Sequence, residues 1–237
     1  MELIVLGASG TWPNADTATS GYLVRHEGFN LWMDAGTGTL ANLQQHIDIP
    51  DLDAIVISHE HPDHFVDLYP AFYAWHYGEL GQPGLPVYVP TDFSQRLADL
   101  VSIDSQVAMR SAFAFTEVAP GEAFEVGPFR IKTEPMAHLG LPALGFRVAV
   151  DGQVLAYTGD TGPTHHVEVL ARDADLLPFH MSSRQAAIHA HDAGVGKLVL
   201  THIWPSLDHE KSKAQAAEEY AGPIDAAVEG MRFEIDQ

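Results

Sequence analysis

Seven residues, Ser58-His59-Glu60-His61-Pro62-Asp63-His64, follow the apolar segment Asp53-Ala54-Ile55-Val56-Ile57 and crowd His59, His61, Asp63 and His64 onto the end of a strand. A chain with fourteen His and eighteen Asp in 237 residues produces His-x-His-x-Asp-His by composition with a probability on the order of 0.4%. The spacing is that of a metal site. In extended backbone, residues two apart point the same way, so His59 and His61 can reach one cation together. Pro62 suits the first turn of a helix. The chain changes direction there, so Asp63 and His64 face a second position beside the first. One run thus supplies half the ligands of two adjacent sites. Neutral imidazole and carboxylate are ligands of zinc and related divalent ions, and the chain has no Cys to compete with them. The plain alternative is a solvated polar loop, and the low chance of the pattern counts against it.

A length of 237 residues with 46% hydrophobic content, 20 Gly and 15 Pro is globular in character. No internal repeat, low-complexity tract or long linker interrupts it, so one domain over 1–237 is the simplest organisation. No run of about eighteen apolar residues suggests a membrane-spanning helix. The N-terminus lacks a basic leader and reads as a strand, which makes the cytoplasm the default location. The net charge of -20, from 32 acidic against 12 basic residues, argues against a broad phosphate-binding surface and so against a large nucleic acid as partner.

Apolar runs predict strands over 3–6, 21–25, 30–33, 54–57, 87–89, 113–118, 129–133 and 198–200. A further pair over 145–150 and 153–157 flanks the hairpin turn Asp151-Gly152. Helices are expected over 39–46, 63–77, 93–101, 164–172, 183–193 and 210–220. Strands buried on both faces call for two sheets covered by outer helices. Three other strand ends carry the chemistry of the first run: His138 after Glu134-Pro135-Met136-Ala137, Asp160 in Gly159-Asp160-Thr161-Gly162, and His202 after Val199-Leu200-Thr201. Singly, each reads as an ordinary loop residue or turn former. Together with the 58–64 run they complete a two-metal set.

In that order the motifs resemble those of the metallo-β-lactamase superfamily over nearly the whole chain, beginning with Asp34 in Trp32-Met33-Asp34-Ala35-Gly36. The resemblance implies an α/β (α+β) fold, a four-layer αββα sandwich with its site at one edge between the sheets. It also implies that His59, His61 and His138 hold one metal, that Asp63, His64 and His202 hold the other, and that Asp160 bridges them. Asp34 then supports the ligand loops without being a ligand. The opening Leu6-Gly7-Ala8-Ser9-Gly10-Thr11-Trp12-Pro13 and the segment His180-Met181-Ser182-Ser183 are similar to their counterparts in ribonuclease Z. That likeness makes Asp63 and His180 the catalytic candidates, with His180 protonating the leaving oxygen or steadying the charged transition state. The chain departs from ribonuclease Z in three places. No tRNA-gripping arm fits between His138 and Asp160, the connection from Asp175 to His180 is direct and lacks an acidic segment, and Ile203-Trp204-Pro205-Ser206 follows His202. With the charge, these departures argue against tRNA maturation.

The implied cofactors are two divalent ions, zinc or manganese, which lower the pKa of water to about 7 and yield hydroxide at neutral pH. The expected activity is hydrolysis of a small or short nucleotide-like phosphodiester. The same fold also accommodates a lactonase or thioesterase, and a metal-binding module that has lost catalysis. The resemblance leaves a homodimer open. Trp204, two residues beyond His202, stands between core packing and a place at the site.

Overall fold

The computed structural model describes residues 1–179 and 181–236; His180, one of the two catalytic candidates, lies outside the described residues. The first half of the chain runs β1 (Glu2–Gly7), β2 (Gly21–His26), β3 (Phe29–Ala35), α1 (Thr39–Leu43), β4 (Ala54–Val56), α2 (Pro62–Phe65), α3 (Leu68–Phe72), β5 (Leu85–Pro90), α4 (Phe93–Asp99), α5 (Ile103–Ala112) and β6 (Phe113–Val118). The second half runs β7 (Ala123–Val126), β8 (Phe129–Pro135), β9 (Leu144–Val150), β10 (Gln153–Tyr157), α6 (His166–Ala171), β11 (Leu176–Phe179), α7 (Ser183–Ala193), β12 (Lys197–Leu200), α8 (His209–Ala216), β13 (Ile224–Ala226) and β14 (Arg232–Glu234).

Among the described residues the strands form two sheets, ordered β14-β1-β2-β3-β4-β5-β6 and β13-β12-β11-β10-β9-β8-β7. Each sheet has an antiparallel half, a meander of consecutive strands, and a parallel half built by crossovers. Alternation along the strands makes the layers. In β1, Leu3 and Val5 enter the core between the sheets while Ile4 and Leu6 enter the core under the helices; Tyr22 and Val24 alternate likewise with Leu23, and Leu31 and Met33 with Trp32. In the second sheet, Leu155 and Val199 face inward while Ala156, Leu198 and Leu200 meet α6, α7 and α8. Three apolar layers therefore separate four layers of secondary structure, the αββα sandwich of the metallo-β-lactamase fold. No described helix is long and apolar enough to cross a membrane.

The structure revises the expected elements in several places, adding the short strands β7, β13 and β14 at the sheet edges, which were not expected. The helix expected over 63–77 is interrupted between α2 and α3 and then runs on through a π-helical turn, Tyr73–Tyr77; at the interruption the Asp67 amide donates to Ala35 O at 2.9 Å and its carboxylate accepts from the Leu40 amide at 2.8 Å. Asp67 ties the junction of α2 and α3 to the end of β3. Helix α5 was not expected, because its sequence pattern is inverted. Ser105, Met109 and Ala112 are buried while Ile103 and Val107 are exposed. The segment before His180, read as a direct connection, is strand β11, paired in parallel with both β10 and β12. Pro178 sits inside it, where a missing amide argues against a central strand, yet all four of its residues are buried.

The turn after β3 requires Gly36. A Cβ there would stand 2.0 Å from Asp63 O and 2.7 Å from Ser20 O, both backbone atoms. Gly36→Ala is expected to force α2 away from β3 and to cost about 1–3 kcal/mol, read from the urea midpoint. A variant as stable as the parent would show that the turn yields without cost.

Candidate metal centre

Among the described candidates, the seven expected ligands each follow a strand and Asp34 lies within one. Asp34 lies near the end of β3, His59 and His61 lie between β4 and α2, and Asp63 and His64 lie in the first turn of α2. His138, Asp160 and His202 follow β8, β10 and β12. Pro62 occupies the start of α2 as its sequence position requires, with His61 in extended backbone before it (φ -79°, ψ 138°). His59 and His64 are fully buried, Asp160 and His202 are 4% exposed and Asp63 is 9% exposed.

The structure brings all seven of the proposed ligands together as two overlapping groups, one of His59, His61, His138 and Asp160 and the other of Asp63, His64, Asp160 and His202. Within each group the ligand atoms lie within 4.8 Å of one another. In the first, His61 Nδ1 stands 3.2 Å from His59 Nε2 and 2.9 Å from His138 Nε2. Asp160 Oδ2 lies 3.9 Å from His59 Nε2 and 3.8 Å from His138 Nε2. In the second, Asp160 Oδ1 lies 3.2 Å from His64 Nε2 and 3.5 Å from His202 Nε2. Asp63 Oδ2 lies 3.0 Å from His202 Nε2 and 3.6 Å from His64 Nε2. One carboxylate thus turns one oxygen to each group.

Asp34 governs the protonation pattern. It is fully buried, at φ +56°, a left-handed conformation that Asp tolerates better than most residues. Its Oδ1 accepts from the Ser58 amide at 2.7 Å. Its Oδ2 accepts from Ser58 Oγ at 2.7 Å, Tyr157 OH at 2.6 Å and His64 Nδ1 at 2.7 Å. Because the carboxylate only accepts, His64 carries its proton on Nδ1 and presents Nε2 to the site. Ser58 spends its proton on Asp34, so at 3.0 Å its oxygen accepts from His59 Nδ1. His59 therefore also turns a bare Nε2 inward. One carboxylate fixes an imidazole in each group.

The arrangement fits a cation better than protons. A proton can bridge one pair of nitrogens, whereas three converge around His61. Metal–nitrogen distances of about 2.0–2.1 Å place tetrahedral ligand nitrogens about 3.3 Å apart, close to the separations seen here. Charge among these side chains is correspondingly frustrated. Burial and the neighbouring His64 hold the His59 imidazole well below its ordinary range. Burial also opposes charge on His64, but Asp160 and Asp34 outweigh it and raise that imidazole well above its usual value. The cluster is suited to divalent metal ions.

Sequence reasoning passed over several residues that shape the site. Ser58 and Tyr157 complete the Asp34 network, and burial raises the Tyr157 hydroxyl well above its ordinary range, with the Asp34 charge adding to it. Tyr22 OH meets Thr201 Oγ1 beside His202. Thr11, Pro62, Leu139 and Trp204 wall a groove of about 420 Å³ over the ligand atoms. Trp204 is not core: it is 49% exposed and packs on Trp12 with centroids 5.6 Å apart. Its position two residues past His202 was the available sequence signal, and of the two places that signal left open the structure gives the one at the site.

Known proteins share this frame. Residues 29–203 match the beta-lactamase superfamily domain. The probable metallo-hydrolase YhfI of Bacillus subtilis is 28% identical over 251 residues, covering 99% of this chain and 100% of that protein. The crystal structure of YhfI superposes with a TM-score of 0.88 at 26% identity over 98% of both chains. A ribonuclease Z of Mycobacterium bovis is 27% identical over 275 residues, 99% of this chain and 98% of that one. A diphosphatase of the PhnP family shares the fold, with a TM-score of 0.76 at 20% identity over 99% of this chain and 98% of that one. The chain belongs to the β-lactamase superfamily and is a metallo-hydrolase of that fold.

Proposed function

We propose that this protein is a phosphodiesterase for small, nucleotide-like substrates that works with two divalent cations, zinc or manganese. His59, His61 and His138 hold one, Asp63, His64 and His202 hold the other, and Asp160 gives one oxygen to each. The observation that carries this reading is the split of the Asp160 oxygens between the two imidazole groups. When bound, such a pair supplies Lewis acidity at phosphorus and a nucleophile drawn from water near neutral pH.

The chain's own residues do the rest. Asp34 holds the His64 tautomer directly and that of His59 through Ser58, so both rings meet their cation without reorganising. His202 steadies Asp63 at 3.0 Å. The groove of about 420 Å³ falls in the range of small-molecule sites, about 300–1,000 Å³. The net charge of -20 disfavours long polyanions. The kinship with a ribonuclease Z, by name an enzyme of phosphodiesters, supports phosphorus as the centre attacked.

The metal-loaded protein is expected to hydrolyse bis-(p-nitrophenyl) phosphate, and Asp160→Ala to lose about a thousandfold in kcat together with at least one bound ion by elemental analysis. A loaded protein inert to every phosphodiester sinks the reading. Cation at about 100 times its Kd should raise the unfolding free energy by ~2.7 kcal/mol per site, and chelation should reverse this in a thermal melt. Asp34→Asn replaces one of the two accepting oxygens by an NH2 donor, which must face either the Ser58 amide or the three donors at Oδ2. Calorimetric zinc titration is expected to show affinity about 10–100-fold weaker, and an unchanged affinity would remove Asp34 from its assigned role.

A further inference from the structure

The groove over the candidate ligands does not end at Trp204. A second cavity of about 520 Å³ continues beyond it, and His202 and Trp204 line both. Met181, Ile203 and Leu207 join Trp204 in giving it an apolar lining, and Lys211 and Gln215 of α8 add polar groups. Trp204 is held in place: Gly10 N donates to Ile203 O at 3.1 Å, Leu207 N donates to Trp204 O at 2.8 Å, and Trp12 packs on the indole. Two tryptophans left 44% and 49% exposed at the mouth of a site are unmet apolar surface where a ligand would cover it. Lys211 is unusual in so acidic a protein. Lys132, Lys197 and Lys213 all pair with carboxylates, whereas among the described residues Lys211 makes no ion pair within 4.0 Å; the Asp208 carboxylate, which lines the same cavity, feels its charge but accepts from the Glu210 and Lys211 amides.

We infer that this cavity is the subsite for the non-leaving substituent of the substrate and that it selects an aromatic ring system with a polar edge. The ring packs on Trp204, and its edge meets Lys211 and Gln215. The inference rests on the phosphodiesterase reading and deepens it: the preferred substrate is a phosphodiester with a ring-bearing group on one side of phosphorus. An indole face flanked by aliphatic side chains takes a flat ring at little conformational cost, and a lysine ammonium that no carboxylate holds within ion-pair distance takes an acceptor on that ring's edge.

The test compares benzyl p-nitrophenyl phosphate with methyl p-nitrophenyl phosphate on the metal-loaded full chain. The two diesters share a leaving group, and both carry an alkyl ester on the other side. The parent protein is expected to prefer the benzyl ester by about tenfold or more in kcat/KM, chiefly through KM. Trp204→Ala, which removes the wall, and Gln215→Trp, which fills the cavity, should each abolish most of that preference. Equal kcat/KM for the two esters in the parent, or a preference that survives in both variants, overturns the subsite and leaves the phosphodiesterase reading standing. Turnover of neither ester sinks that reading instead. Calorimetric binding then decides the subsite separately: benzyl phosphate should bind about tenfold tighter than methyl phosphate and lose that advantage in both variants, and equal binding of the two overturns it.

Discussion

The Asp34 carboxylate is the fixed point of the site. Four donors from three residues converge on a side chain that has no contact with solvent. A buried carboxylate is tolerable only when so fully hydrogen-bonded, and here the donors are the residues whose orientation matters most. Ser58 and His64 belong to the ligand-bearing run and Tyr157 ends β10 of the other sheet, so the network ties both sheets to one atom pair. The left-handed backbone at Asp34, and again at His202 (φ +54°), places strain at the site, where function commonly retains it.

The architecture explains why seven ligand-type residues scattered over more than half the chain arrive in one place. β3 and β4 are parallel neighbours, and β8 and β10 run alike on either side of β9. β12 follows the same direction through β11. Strands that run the same way end at the same edge, and the loops leaving that edge carry the polar residues. The sandwich brings the two edges face to face, so each imidazole group draws on both sheets.

Much of this was legible in the sequence because the chemistry and the periodicity reinforced each other. His59 and His61 at spacing two, Pro62 at a helix start and Asp160 in a glycine-flanked turn each have a local reason that the structure keeps. What escaped notice was decided by tertiary contacts. Asp67 looks like a helical residue, yet its amide and carboxylate serve β3 and α1. Helix α5 hides because its outward face carries Ile103 and Val107. β11 hides because Pro178 contradicts a central strand, a contradiction resolved by the pairing of its carbonyl, which accepts from Thr158 N at 3.4 Å. The tautomers of His59 and His64 depend on residues distant in sequence, so spacing alone had no access to them.

The short parallel bridge between Ser9 and Ile203 has a kinetic meaning. Gly10 N meets Ile203 O and Ile203 N meets Ala8 O, while a Cβ on Gly10 would collide with His202 O at 2.5 Å. The glycine-rich opening of the chain is therefore stitched by backbone bonds to the segment that carries Trp204. The main chain that carries Trp12 and the main chain that carries Trp204 cannot separate without breaking those bonds. The backbone at this side of the entrance is thus one unit, and any widening of the mouth there falls to the rotation of the two indoles rather than to movement of the chain.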